Sequence, residues 1–211
     1  MGLRKRGVKV GVYKPVASGC VRRRGEWVSQ DAEFLAHCAD SGDLPVDISP
    51  YRFSEPLAPA VAARRAGQNI LTDEIQRGFD WIVRDKDFVI VEGVGGLLVP
   101  LSENPPVMVA DIAAMLNLPI LIVARAGLGT INHTLLTLQS ARQWGLTIWG
   151  IVLNFTHPDG QDLAEITNPD ALRCWGEVEI LAQLPEDPET QMEAFQIGPD
   201  VLYNLEQIKL P

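Results

Sequence analysis

The sequence predicts an α/β fold, a mostly parallel sheet flanked by helices. Two observations carry that reading. Short runs rich in Val, Ile and Leu are apolar at consecutive positions, as strands covered on both faces should be. Stretches of helical period separate them, the alternation expected of strands joined by helical crossovers. The first strand run is 8–13, and residues 29–39 follow as a helix with Ser29 as its cap. Residues 40–59, broken by Pro45, Pro50, Pro56 and Pro59, read as a long surface connection. A helix over 71–83 sets Leu71, Ile75, Phe79 and Ile82 on one face. Strand 88–92, helix 107–116, strand 119–124, helix 130–144 and strand 147–153 come next. A short helix is expected after Asn168, with Asn168 as cap and Pro169 at its first position, and then strand 178–182. With no internal repeat, low-complexity tract or linker, residues 1–211 read as a single α/β domain.

Composition narrows the function. A hydrophobic share of 46% against 21% charged is enough to bury a full core. No apolar run reaches the ~18 residues of a membrane-spanning helix, and the basic start MGLRKRGVKVGVY lacks the apolar stretch of a secretory leader. Cys20, Cys38 and Cys174 are odd in number and scattered, which fits reduced thiols in a cytoplasmic protein. A net charge of −9 opposes long-range attraction to nucleic acid or an anionic membrane. A small-molecule substrate is the expected partner.

In an open parallel sheet, ligands bind beyond the carboxyl ends of the strands. The first such end is Tyr13-Lys14-Pro15-Val16-Ala17-Ser18-Gly19. Lys14 there either stays solvated on a loop or holds a carboxylate, carbamate or phosphate as a point charge. The second is Val91-Glu92-Gly93-Val94-Gly95-Gly96, where a carboxylate directly follows four apolar residues and glycines follow it. This suits a Mg²⁺ ligand beside a phosphate; the competing reading is a strand-ending salt bridge. Asp31, in a helical first turn, either offers a second carboxylate or complements the helix dipole, and on its own the dipole reading is preferred. The third end, Arg125-Ala126-Gly127-Leu128-Gly129-Thr130-Ile131-Asn132, runs into a helix whose free N–H groups suit an anion, or is an ordinary turn. The fourth places the Asn154 amide where it can pair with an adenine edge.

Taken together, these segments resemble dethiobiotin synthetase. Residues 14–19 are similar to that family's substrate-lysine loop, and Val91 to Gly96 to its magnesium strand. Leu128 to His133 resembles its dimer-interface loop, Gly150 to Asn154 its adenine strand, and Leu184-Pro185 its ribose and adenine loop. The resemblance implies an enzyme that uses ATP and Mg²⁺ to join CO₂ to 7,8-diaminononanoate, closing the ureido ring of dethiobiotin in biotin biosynthesis. By that resemblance Lys14 is catalytic and Ser18 contacts substrate. Asp31 and Glu92 hold Mg²⁺, and Gly93, Val94 and Gly95 lie near the phosphates. Asn154, Phe155, Pro185 and Glu186 take the nucleoside. Leu128, Gly129, Thr130, Ile131 and Asn132 bind the distal carboxylate across a homodimer interface.

One departure is plain. The family is P-loop NTPase-like and begins with a strand, a phosphate loop ending in Gly-Lys-Thr and a helix, and no G-x-x-x-x-G-K-[ST] occurs in these 211 residues. The expectation is a chain lacking that first strand and phosphate loop, with residues 2–10 as the helix tail running into the next strand. Unpaired sheet edges and little ATP-dependent turnover should follow. The alternatives are another ligase or ATPase of the same nucleotide-binding class, such as a cobyrinate amidotransferase-like or partitioning-type protein, and a non-catalytic binding remnant.

Overall fold

The computed structural model describes residues 1–155 and 162–211. Their contacts group into two compact units, Leu3–Leu116 and Asn117–Pro211.

The first unit begins with the short helix α1 (Gly2–Lys5) and strand β1 (Val10–Tyr13), all of whose residues are buried. Strands β2 (Val16–Ala17), β3 (Val21–Arg23) and β4 (Glu26–Val28) follow, then α2 (Gln30–Ala39), α3 (Pro45–Ile48), β5 (Tyr51–Arg52), α4 (Pro59–Ala66) and α5 (Thr72–Ile82). The unit ends with β6 (Phe88–Val91), β7 (Pro100–Glu103), β8 (Pro106–Met108) and α6 (Val109–Leu116). β1 and β6 pair in parallel from Val10↔Phe88 to Tyr13↔Val91. The Asp87 carboxylate fixes that register by accepting from the Lys9 amide at 2.9 Å, while the Asp87 amide donates to the Lys9 carbonyl. Helices α2, α3 and α5 pack on β1. α5 presents Ile75 and Ile82, seven residues apart and both fully buried, to the core. Leu71 sits at the N-cap and is half exposed. Among the described strands, β6 has β1 as its one neighbour, and Ile90 is 44% exposed.

Residues 40–59 correct the expectation of a surface connection. They contain α3 and β5, and Ile48, Ser49, Tyr51 and Phe53 are buried. The prolines there place turns around buried residues: Pro45 opens α3 and Pro59 opens α4. The pairing β2–β5 is parallel and the hairpins β3–β4 and β7–β8 are antiparallel.

In the second unit, β9 (Ile120–Arg125), α7 (Thr130–Gln143), β10 (Ile148–Asn154), α8 (Leu163–Gly176), β11 (Ile180–Leu184) and α9 (Pro199–Glu206) form a parallel three-stranded sheet with its helices, in the order β11-β10-β9. β10 is central and carries Ile151 and Leu153 into a core with Ala126, Leu138, Phe155 and Leu172. β9 has β10 as its one described neighbour, and Val123 is 64% exposed. The expected short helix capped by Asn168 is corrected. α8 starts at Leu163, with the Asp162 carboxylate accepting from the Glu165 amide at 2.8 Å, and Pro169 lies inside it. Asn168 is instead a buried helical residue whose amide serves another segment.

Candidate active site

The ladder between β1 and β6 runs one residue beyond the strands, and this brings the site together. The Glu92 amide donates to the Tyr13 carbonyl at 2.8 Å, and the Lys14 amide donates to the Ile48 carbonyl at 2.8 Å. Lys14 and Glu92 therefore leave adjacent parallel strands side by side. The Tyr13 ring below them is fully buried, its hydroxyl donating to the Ile75 carbonyl at 3.0 Å.

Asp31 reaches the same place from the first turn of α2. The Ser29 hydroxyl caps that helix, accepting from the Ala32 amide at 3.2 Å. Lys14 Nζ lies 2.7 Å from Glu92 Oε1 and 3.1 Å from Asp31 Oδ2. The lysine side chain is only 6% exposed, whereas the two carboxylates are 46% and 45% exposed. Burial on its own lowers the Lys14 pKa, but Glu92 and then Asp31 outweigh it and hold the ammonium above its ordinary range. Asp31 thus stands in the first turn of α2 and pairs with the buried Lys14 ammonium from there.

Around this triad the loops are set by backbone pairing. Ser18, half buried, follows β2, and the next two amides are taken: Gly19 donates to Glu55 at 3.2 Å and Cys20 to Phe53 at 2.9 Å. Past Glu92, Gly95 has φ +70°, and a Cβ there would meet the Val99 side chain at 2.8 Å, so glycine is needed for that turn. Gly93 and Gly95 are exposed and Val94 is half buried. Arg52 escaped the sequence reading. Its guanidinium donates to the carbonyls of Trp27 (2.9 Å), Val46 and Pro50 (both 3.3 Å) and Ser49. It thereby ties β4, which leads into the Asp31 helix, to the segment between α3 and β5. An arginine that joins nearby carbonyls to one 25 residues upstream, all of them backbone groups, leaves no local motif.

The carboxylate pair fits a divalent cation on one observation: both carboxylates already converge on a single positive charge. Among the described residues there is no cluster of three or more His, Cys, Asp and Glu. The pair therefore suits a hard ion such as Mg²⁺, completed by phosphate and water oxygens, rather than a closed zinc site.

The second unit holds the remaining predicted residues. Gly129 opens α7 at φ +91° without a side-chain cap, Leu128 is 89% exposed, Ile131 is half buried and Asn132 is exposed. Thr130 is buried; its hydroxyl shares a hydrogen bond with Thr134 at 3.3 Å and its amide donates to Gly127. Asn168, which the sequence reading had used as a cap, pins this turn by donating to the carbonyls of Ala126 at 2.7 Å and Gly127 at 3.1 Å. At the ends of β10 and β11, Asn154 pairs in register with Leu184, and the Phe155 amide donates to the Leu184 carbonyl at 2.9 Å. Asn154 and Glu186 are exposed and Pro185 half buried, while the Phe155 ring belongs to the core. Asp187, also missed, holds this loop. Its carboxylate accepts from the amides of Glu189 and Asp200 at 3.0 Å, the latter in the first turn of α9.

A family model described as an AAA domain matches residues 1–194. The ATP-dependent dethiobiotin synthetase BioD of Thermodesulfovibrio yellowstonii is 35% identical over 206 residues, covering 92% of this chain and 86% of that protein. The protein of the same name from Anaeromyxobacter sp. (strain K) is 41% identical over 185 residues, 88% of this chain and 80% of its own. That from Bacillus subtilis (strain 168) is 38% identical over 177 residues, 84% and 74% respectively. With relatives of this identity covering 84–92% of the chain, the chain belongs to the dethiobiotin synthetase family.

Proposed function

We propose that the chain is an ATP-dependent dethiobiotin synthetase, joining CO₂ to 7,8-diaminononanoate with release of ADP and phosphate. The carrying observation is the Lys14 ammonium, buried between two half-exposed carboxylates at the carboxyl ends of β1 and β6. In the reaction, one amine of the substrate adds to CO₂ and gives a carbamate. ATP phosphorylates a carbamate oxygen, and the second amine attacks the activated carbon, expelling phosphate and closing the five-membered ureido ring. Such chemistry is dominated by positioning and charge neutralisation.

Lys14 supplies a positive charge to the carbamate and to the phosphoryl oxygens as they develop. It is effective because its own solvation has already been given up. Ser18 lies four residues along the same loop and contacts substrate. Asp31 and Glu92 would hold Mg²⁺, which when bound neutralises phosphate charge. The exposed glycines 93 and 95 beside Val94 let the phosphates approach backbone. Asn154, Phe155 (through its backbone), Pro185 and Glu186 take the nucleoside. The distal carboxylate of the substrate meets the loop 128–132 of a second copy in a homodimer. The exposure of Leu128, Leu136, Leu163 and Ile166, at 89%, 56%, 76% and 57%, supports a covered apolar surface there. The cytoplasm is the proposed location, supported by three free cysteines; among the described residues no helix is long and apolar enough to cross a membrane.

The test is dethiobiotin formation from the diamine, bicarbonate and MgATP by the full product of the gene encoding these residues. Product is expected. ATP hydrolysis indifferent to the diamine would instead favour another ligase or ATPase of the same class.

A further inference from the structure

We propose that Lys14 is the resident counter-cation of the Asp31–Glu92 pair, so that binding of a divalent metal and release of the Lys14 ammonium are one exchange. The inference rests on the reading of Asp31 and Glu92 as metal ligands and deepens it: it says what holds these carboxylates before the metal arrives, and what frees the lysine.

The geometry points to exchange rather than sharing. Lys14 Nζ contacts one oxygen of each carboxylate, at 2.7 Å and 3.1 Å. A small divalent ion seats at about 2.0–2.2 Å from such oxygens. A metal on those same two atoms would sit within a few ångströms of Nζ, with no atom between two positive charges. The lysine side chain is 6% exposed, so little water is at hand to screen that repulsion. The carboxylates are each nearly half exposed and open to an ion arriving from solvent. Two carboxylates and one ammonium carry a net single negative charge. A divalent ion brings more charge to the same oxygens than the ammonium it replaces, and the displaced lysine must then find another anion. In a carbamate-phosphorylating site that anion is the carbamate or the phosphoryl group. Metal loading thus arms the lysine, and the metal-free site stays closed on itself.

A consequence runs against the usual effect of removing an active-site charge: deleting the lysine should improve metal binding. The probe is Mn²⁺ alone, with free ion followed by electron paramagnetic resonance. Lys14→Met is expected to bind Mn²⁺ about tenfold or more tightly than the native protein, by loss of a competing unit charge at contact distance. Lys14→Arg keeps the charge and is expected to show no such gain. The second readout is the rate of reductive methylation of Lys14, measured by mass spectrometry. It should be low without metal, rise about tenfold at saturating Mn²⁺ as the amine leaves its ion pairs, and be high without metal in Glu92→Gln.

Tighter Mn²⁺ binding by Lys14→Met together with metal-induced labelling supports the exchange. Unchanged Mn²⁺ affinity in Lys14→Met overturns it. So does a Lys14 that stays shielded at saturating Mn²⁺, because the two cations then share the carboxylates. Neither readout requires turnover. A gene product that makes dethiobiotin while Lys14 stays shielded would refute the exchange and leave the enzyme assignment standing, and the reverse pattern would do the opposite.

Discussion

Replacing Gly78 by alanine should destabilise the protein, although the same change in the middle of an ordinary helix stabilises. Gly78 lies within α5, where alanine is intrinsically better by about 1 kcal/mol. A Cβ built there falls 3.1 Å from Tyr13 Cζ and 3.3 Å from Cε2, and closer still to the phenolic oxygen. The ring has nowhere to go: Tyr13 is fully buried, at 0% solvent accessibility, and its hydroxyl is committed to the Ile75 carbonyl at 3.0 Å. Overpacking of this kind costs about 1–3 kcal/mol. Breaking a buried hydrogen bond adds about 1–3 kcal/mol. Set against the helix gain, the net loss should be about 1–5 kcal/mol. Urea unfolding of Gly78→Ala, read as a lowered midpoint at unchanged slope, measures it. Tyr13→Phe in the Gly78→Ala background removes the closest atom, so the pair should cost less than the sum of the singles. A Gly78→Ala protein as stable as the native one, or more so, would refute the argument. Because the Tyr13 carbonyl receives the Glu92 amide, the same variant should also disturb the site.

Two further outcomes follow from buried polar groups. Tyr51 is 2% exposed, its hydroxyl accepting from the Leu71 amide at 3.0 Å and donating to Glu74, and burial and then Glu74 push its pKa up to about 12. The raised folded-state value means a stability contribution intact below pH ~10 and lost as pH climbs through ~12, about 2–3 kcal/mol in all. Alkaline unfolding should therefore be shallower in Tyr51→Phe, and parallel profiles for the two proteins above pH ~10 would contradict this. Asn168→Ala should leave the Ala126 and Gly127 carbonyls unpaired and cost about 1–3 kcal/mol. Hydrogen exchange at the start of α7 should accelerate with it, and unchanged exchange would remove Asn168 from its pinning role.

The five predicted strands were readable as apolar runs between helical stretches, although only β1 and β10 carry fully buried residues and β6, β9 and β11 are half buried or exposed. Even so, β1 starts at Val10 rather than at 8, where Val8 precedes the Lys9–Asp87 lock. Ser29 and the α2 boundary were legible from a side-chain cap, a signal local in sequence. Local signals misled where a distant partner decided the outcome. Asn168-Pro169 has the wording of a helix start, yet Asp162 had already capped the helix and the Asn168 amide was drawn to carbonyls some forty residues away. Residues 40–59 looked like solvated connection because prolines mark turns, but they do not report that Ile48 and Tyr51 between them are buried. At the site, the lysine and Glu92 announced themselves as polar residues at the ends of apolar runs. Arg52 and Asp187 did not, since each binds backbone groups only, among them one that the fold brings near, Trp27 for Arg52 and Asp200 for Asp187. Asp31 lay between these cases: its position in a helical first turn was legible, and its contact with Lys14 was not.

The measurement that bears most directly on the account is dethiobiotin formation by the Lys14→Ala variant of the full gene product, beside its thermal unfolding. The buried ammonium is held to be the charge that the reacting carbamate and phosphoryl group meet. Turnover should therefore fall about a hundredfold or more while the fold persists, as when a preorganised donor is removed from an active site. The half-exposed Asp31 and Glu92 remain soluble partners of water in that variant. Native turnover from a folded Lys14→Ala protein would contradict the central claim.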